Sequence, residues 1–247
     1  MANKYFQFKQ FTIHQDRCAM KVTTDTCLFG AWVAEQAKRQ IATGTKVKNG
    51  LDIGAGTGLL SIMLAQKNPS LVIDAIEIDK EAYEQAIQNV ASSPFSAQIN
   101  LQNDDAKTFP LSKGYDVIVS NPPFYENELS STDQKKNIAH HQSGLLVKDL
   151  LSVVKSVLSP KGIFYFLLPY KRDDEIRRAL LEKDFAILKI VFVRQSSRHD
   201  YFRIMVSGKL KDENDTETLV DEISIWNDQK QYTEEFSNLL KEFYLYL

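Results

Sequence analysis

From about position 47 onward the chain alternates short apolar runs with segments of helical spacing. Apolar or β-branched runs at 50–54, 71–77, 98–102, 115–120, 162–168, 186–192 and 202–207 predict seven strands. Between them, apolar residues recur at three- and four-residue spacing over 59–66, 80–90, 147–158 and 173–183, which predicts helices. Strands separated by helices predict an α/β architecture, a mainly parallel sheet with helices on both faces. No helix-length segment parts the last two runs, so they predict a hairpin and one antiparallel edge strand.

Ahead of this core, residues 5–22 alternate apolar and polar side chains around the break Gln15-Asp16-Arg17, the pattern of a β-hairpin. Helical spacing then runs from near Thr26 through Trp32 and Ala37, with N-caps available between Thr23 and Thr26. Beyond Lys211 the tail is acidic (Asp212, Glu213, Asp215, Glu217) and ends in an aromatic amphipathic stretch, expected to form a surface helix or a partner contact. The organisation expected is one domain: hairpin and helix over 1–46, core over 47–208 and an extension over 209–247.

At 247 residues and 43% apolar content the chain can bury a sizeable core without cross-links. Cys18 and Cys27 fit neither a disulfide framework nor a metal-binding pair, and read as reduced thiols of a cytosolic protein. Four histidines, at 14, 140, 141 and 199, lack zinc-type spacing, so no metal is expected. No apolar run resembles a signal peptide or reaches the length of a membrane span. A net charge of −2 argues against a general nucleic-acid coat, but an enzyme acting on nucleic acid needs only a local basic face.

Candidate chemistry begins at Leu51-Asp52-Ile53-Gly54-Ala55-Gly56-Thr57-Gly58-Leu59, between a strand and a helix. Gly54, Gly56 and Gly58 let the backbone turn sharply and a ligand come close. A dinucleotide fingerprint would need glycine where Leu59 stands. Asp52 would repel a pyrophosphate but suits a ligand carrying an ammonium and a sulfonium, which points to S-adenosylmethionine. Glu77, at the end of the next strand, can accept both ribose hydroxyls; Asp79 is the alternative, though it is placed to cap the following helix. After the third strand comes Asn103-Asp104-Asp105-Ala106, where Asp105 can accept from the cofactor's adenine amine.

Asn121-Pro122-Pro123-Phe124 ends the fourth strand. An exocyclic or amide nitrogen is a poor nucleophile, because its lone pair is delocalised. The Asn121 side-chain oxygen and the Pro122 carbonyl can each accept one of its hydrogens, which drives the nitrogen toward tetrahedral geometry. The prolines stiffen the loop. Phe124 can stack on the target base for roughly 1–3 kcal/mol, offsetting much of the few kcal/mol needed to unstack it. Catalysis is then positioning plus electrostatics, with no strong general base. Asn121 stands beside the cofactor as well as the substrate.

The segment from Asp52 to Gly58, together with Asn121 to Phe124, resembles the Rossmann-like class I methyltransferase fold with its amino-methyltransferase motif. Phe6-Gln7-Phe8-Lys9-Gln10-Phe11, Arg17-Cys18-Ala19-Met20-Lys21-Val22, Thr24-Asp25 and Leu28-Phe29-Gly30-Ala31-Trp32 narrow the likeness. They resemble the bacterial tRNA1(Val) (adenine(37)-N6)-methyltransferases. That resemblance implies methylation of an adenine N6 in tRNA, with Thr24 and Asp25 near the methionine end of the cofactor. Thr23 and Thr26 stand where many relatives have glycine. The basic residues that could hold RNA are Lys9, Arg17, Lys21, Lys135, Lys136, Lys171, Arg172, Arg194 and Arg198. Two other substrates share the Asn-Pro-Pro logic: a protein glutamine, for which a helical substrate domain is missing, and DNA adenine, for which a target-recognition region is missing. No membrane and no obligate protein partner are expected.

Overall fold

A computed structural model describes residues 3–111, 114–122, 147–213 and 217–247. Strand β1 (Tyr5–Gln7) pairs antiparallel with β2 (Thr12–His14) in a small separate sheet, followed by helix α1 (Thr24–Ala42). The core then runs β3 (Asn49–Ile53), α2 (Leu59–Lys67), β4 (Val72–Glu77), α3 (Lys80–Ala91), β5 (Ile99–Asn103) and β6 (Tyr115–Ser120). It continues with α4 (Val147–Val157), β7 (Leu158–Pro169), α5 (Asp173–Glu182), β8 (Phe185–Ser196) and β9 (Tyr201–Leu210). Last come β10 (Leu219–Trp226) and α6 (Glu234–Leu240).

The large sheet has the order β10-β8-β9-β7-β6-β3-β4-β5. Every neighbouring pair is parallel except the two made by β9. The mainly parallel α/β sheet matches the expectation, with two corrections. First, the antiparallel strand is interior: β9 inserts between β7 and β8, and Ile204, Met205 and Val206 are at most 1% exposed. Residues so apolar on successive positions need a ladder on each side and cover on both faces. Gly208 permits this insertion, since a Cβ there would lie 2.3 Å from the Phe164 ring. Second, the described sheet has eight strands, because part of the tail forms β10 beside β8. Only the far half of β10 is buried and Leu219 and Val220 are exposed, so its apolar pattern is weak in the sequence. Lys189 to Asp221 (3.0 Å) and Arg194 to Glu222 (2.5 Å) fasten it to β8.

The hairpin also turns earlier than expected. Its turn holds Phe8 and Phe11, both buried and stacked at 4.5 Å, so this apolar pair rather than the polar break is the bend. Gln15-Asp16-Arg17 instead meets α3: the Gln85 side chain accepts from Arg17 N (2.9 Å) and donates to Asp16 (2.7 Å). The tail does not lie loosely on the surface either. Phe236, Leu240 and Phe243 are fully buried, and Phe8 bridges to Tyr244, joining both ends of the described chain against α1. One apolar core lies on the α1–α2–α6 face of the sheet and another on the α4–α5 face. Each helix buries a stripe set by its sequence; in α4 these are Leu150, Leu151, Val153, Val154 and Val157.

Candidate active site

From β3 the chain lays β4 and β5 on one side and then returns to place β6 on the other. Such a reversal opens a crevice at the carboxyl ends of the strands, where ligands of open α/β sheets settle. Asp52 is in register with Val119, so Gly54 and Asn121 leave the sheet side by side. Ser120 Oγ donates to the Ile53 carbonyl at 2.7 Å and ties the two exits together.

Gly54, Gly56 and Gly58 have φ of 75°, 54° and 80°, a region costly for any residue with a Cβ. A Cβ on Gly54 or Gly56 would meet no atom within 4 Å, so the turn offers bare backbone to the crevice. Glu77, only 8% exposed, braces it: Oε2 accepts from Gly56 N (2.7 Å) and Oε1 from Asp79 N (2.8 Å). Burial raises the Glu77 pKa, against the pull of those amides. Each carboxylate oxygen accepts more than one hydrogen bond, so the same group can also receive ribose hydroxyls. Asp79 caps α3 through Ala82 N at 2.8 Å, as expected.

Asp52 is wholly buried. Its Oδ2 accepts from Ser61 Oγ at 2.7 Å, while Oδ1 has no hydrogen-bond partner among the described residues. Burial, with the Glu77 carboxylate adding to it, raises its pKa to about 7 despite the Ser61 hydroxyl. A buried, unpartnered carboxylate oxygen is costly unless a positive group stands near. The orphaned oxygen and the bare glycine turn therefore fit a ligand that brings positive charge, as S-adenosylmethionine does. Asp105 sits on the turn after β5, accepting from Lys107 N at 2.9 Å with the Lys107 ammonium at 3.5 Å. Asn103 donates to the Glu77 and Ile78 carbonyls and closes the ends of β4 and β5 together.

On the β6 side, Asn121 is half-buried and its Nδ2 donates to Thr26 Oγ1 at 3.1 Å. Thr26 Oγ1 lies 2.8 Å from Thr23 Oγ1. The two threonines thus hold the Asn121 amide and leave its Oδ1 to accept from a substrate. Asn121 and Pro122 line a cavity of about 280 Å³ with Met20, Thr26, Leu167 and Arg203. Asp25 borders it too, buried in the first turn of α1 and paired to Arg203 Nε at 2.8 Å; Thr24 precedes it, half-buried. Pro123 and Phe124 lie outside the described residues.

Arg203 escaped the sequence reading. Its signal was there: one arginine within the otherwise apolar run Phe202-Arg203-Ile204-Met205-Val206. The other basic candidates scatter. Lys21 borders the Asn121 cavity and donates to the Gln15 and Cys18 carbonyls. Lys171 and Arg172 follow β7, with Arg172 held by both oxygens of Glu175. Arg194 on β8 pairs with Glu222, and Arg198 in the β8–β9 loop stands 3.3 Å from Asp228. Arg17 lies over α3, 3.7 Å from Glu84. Lys9 is taken elsewhere, donating to the Lys241 carbonyl after α6 at 2.6 Å. Lys135 and Lys136 lie outside the described residues. Among the described residues no His/Cys/Asp/Glu group could hold a metal ion, and no helix is long and apolar enough to cross a membrane.

Residues 20–185 match the model of the methyltransferase small domain family. The tRNA1(Val) (adenine(37)-N6)-methyltransferase of Dyadobacter fermentans is 37% identical, over 98% of this chain and 98% of its own. Its namesake in Bacteroides thetaiotaomicron is also 37% identical, over the whole of both chains. Among solved structures, one described as a predicted O-methyltransferase from Agrobacterium tumefaciens superposes with a TM-score of 0.67. It covers 87% of this chain and 95% of its own at 15% identity, a likeness of fold.

Proposed function

This chain belongs to the methyltransferase small domain family and to the tRNA1(Val) (adenine(37)-N6)-methyltransferases, and on that premise we propose that it methylates the N6 amine of adenine 37 in tRNA1(Val). S-adenosylmethionine supplies the methyl group, carried on a sulfonium. The observation behind the reading is that the Asp52–Gly58 turn and Asn121 leave adjacent strands at the switch point.

In this reading the Asp52 carboxylate provides the negative field for the cofactor's charges. Glu77 receives the ribose hydroxyls while bracing Gly56, and Asp105 receives the adenine amine. Thr24 and Asp25 border the methionine end, and Arg203 keeps Asp25 in place. Asn121 Oδ1 and the Pro122 carbonyl accept the two hydrogens of the target amine, orienting its lone pair. Pro123 stiffens this loop and Phe124 stacks on the base. Asn121 does not titrate, so the proton released after transfer goes to water. The reaction takes place in the cytoplasm; burial pushes the thiols of Cys18 and Cys27 up to about 12, which keeps them out of redox chemistry.

The test is to incubate the protein with methyl-labelled cofactor and, separately, unmodified tRNA, ribosomal RNA, duplex DNA and cell protein, then identify the methylated unit. N6-methyladenosine from tRNA alone is expected. Label in protein glutamine or in DNA adenine would overturn the proposal.

A further inference from the structure

A cavity of about 550 Å³ lies away from Asn121, at the carboxyl ends of β8 and β10. That is the size of a small-ligand pocket. The β8–β9 loop contributes Ser196, Arg198 and His199 on one side. Trp226 and the turn after it, with Asn227 and Lys230, form the other. We propose that this cavity is a second nucleotide subsite, where a base of the bound RNA lies against Trp226 while its phosphates meet Arg198 and Lys230. The inference rests on the RNA substrate proposed above.

Three features support it. Trp226 is prearranged: Tyr232 stacks on it at 4.1 Å and 19°, and Phe236, fully buried, stacks on Tyr232 at 4.6 Å and 15°. The column fixes the indole, whose uncovered part borders the cavity. Stacking on a rigid ring beside cations is how proteins hold single-stranded nucleic acid without reading sequence. Next, the walls are built. Asn227 Oδ1 accepts from Gln229 N and Gln231 N, and the turn holds Lys230 at φ 59°, where a lysine sits only if its surroundings require it. Asp228 joins the two walls, accepting from Ser197 Oγ at 2.9 Å with Arg198 Nε at 3.3 Å. Against this one carboxylate stand the guanidinium and the ammonium, and the His199 ring is bonded to Ser196 Oγ at 2.8 Å.

Finally, the cavity is on the same edge of the sheet as Asn121. Strands β6 and β10 are four places apart in the order, or about 19 Å at about 4.8 Å per strand. A strand of about five or six stacked nucleotides, at about 3.4 Å each, spans that distance.

The sequence has two tryptophans, and Trp32 is only 4% exposed, so RNA-induced quenching of emission reports Trp226. Unmodified tRNA is titrated into the parent, into Trp226→Phe, which keeps a ring on Tyr232, and into the double variant Arg198→Gln/Lys230→Gln. Quenching is expected in the parent and lost in Trp226→Phe. The double variant is expected to raise KM for tRNA about tenfold with kcat unchanged. Its slope of log KM against log salt should shrink by about 1.4, two phosphates at about 0.7 each for a single strand. Methylation by the parent without quenching, and a double variant with parental KM and salt slope, would overturn the subsite and leave the methyl-transfer reading standing. Quenching that vanishes in Trp226→Phe, with no methyl group reaching tRNA, would keep the subsite and sink that reading.

Discussion

On the β3–β4–β5 side of the switch point the strand ends carry carboxylates held by backbone or by burial: Asp52 inside the protein, Glu77 on two amides, Asp105 on its own turn. On the β7–β9–β8–β10 side they carry Arg203, Arg198, Lys230 and the rings of Tyr170, Tyr201 and Trp226, most of them at least partly exposed. The acidic half suits one small cationic ligand with a fixed pose, where each group is needed and none is replaceable. The basic half suits a long polyanion, where many contacts each contribute a little. Asn121 stands at the seam. The contrast predicts that single substitutions cost most at the seam, less on the acidic side and least on the basic side.

The sharpest test is at the seam: Asn121→Ala should lower methyl transfer by about 10²–10³-fold, as removal of a preorganised polar group does, with cofactor affinity near the parent's by calorimetry. Asp52→Asn should weaken cofactor binding by about 10–100-fold, the worth of a hydrogen bond or contact to a charged group. Asp52 also sets a pH dependence. Its folded pKa of about 7 lies above the ordinary value of 3.8, so the cofactor-free protein loses stability as pH rises between the two and is level above. A cationic ligand favours the charged carboxylate, so its affinity should rise as pH approaches about 7. Asp52→Asn should flatten both profiles, read by thermal melts and by titration at pH 5 to 8.5.

Smaller effects test the basic half. Arg203→Gln should weaken cofactor binding about tenfold, equivalent to about 1.4 kcal/mol, because Arg203 holds Asp25; an unchanged cofactor affinity with a raised KM for tRNA would leave Arg203 wholly on the basic side of the comparison. Lys9→Ala should leave KM for tRNA within twofold, since that ammonium is engaged beyond α6. Its one hydrogen bond is worth about 0.5–1.5 kcal/mol, a melting shift of a few degrees.

The elements of the core were readable because each strand and helix buries a continuous or periodic stripe. Predicted and observed bounds differ by a few residues at most places. What misled was exposure and order. In β10 Leu219 and Val220 face solvent, so the alternation faded, and the hairpin bent at apolar Phe8 and Phe11 because the tail covers them. At the site, Asp52, the glycines, Glu77 and Asn121 declare themselves by spacing. Arg203 did not, since its partner Asp25 is 178 residues away.

The sequence alone determined the residues that must lie at strand ends, because a two-residue or 3.6-residue period fixes where each element stops and which side chains follow it. It also determined the chemistry those side chains offer. Only the tertiary structure decided which ends are neighbours: β3 beside β6, β9 between β7 and β8, β10 beside β8, and Arg203 against Asp25. Strand order rests on long-range pairing and on burial from both faces, and no local window of sequence contains either.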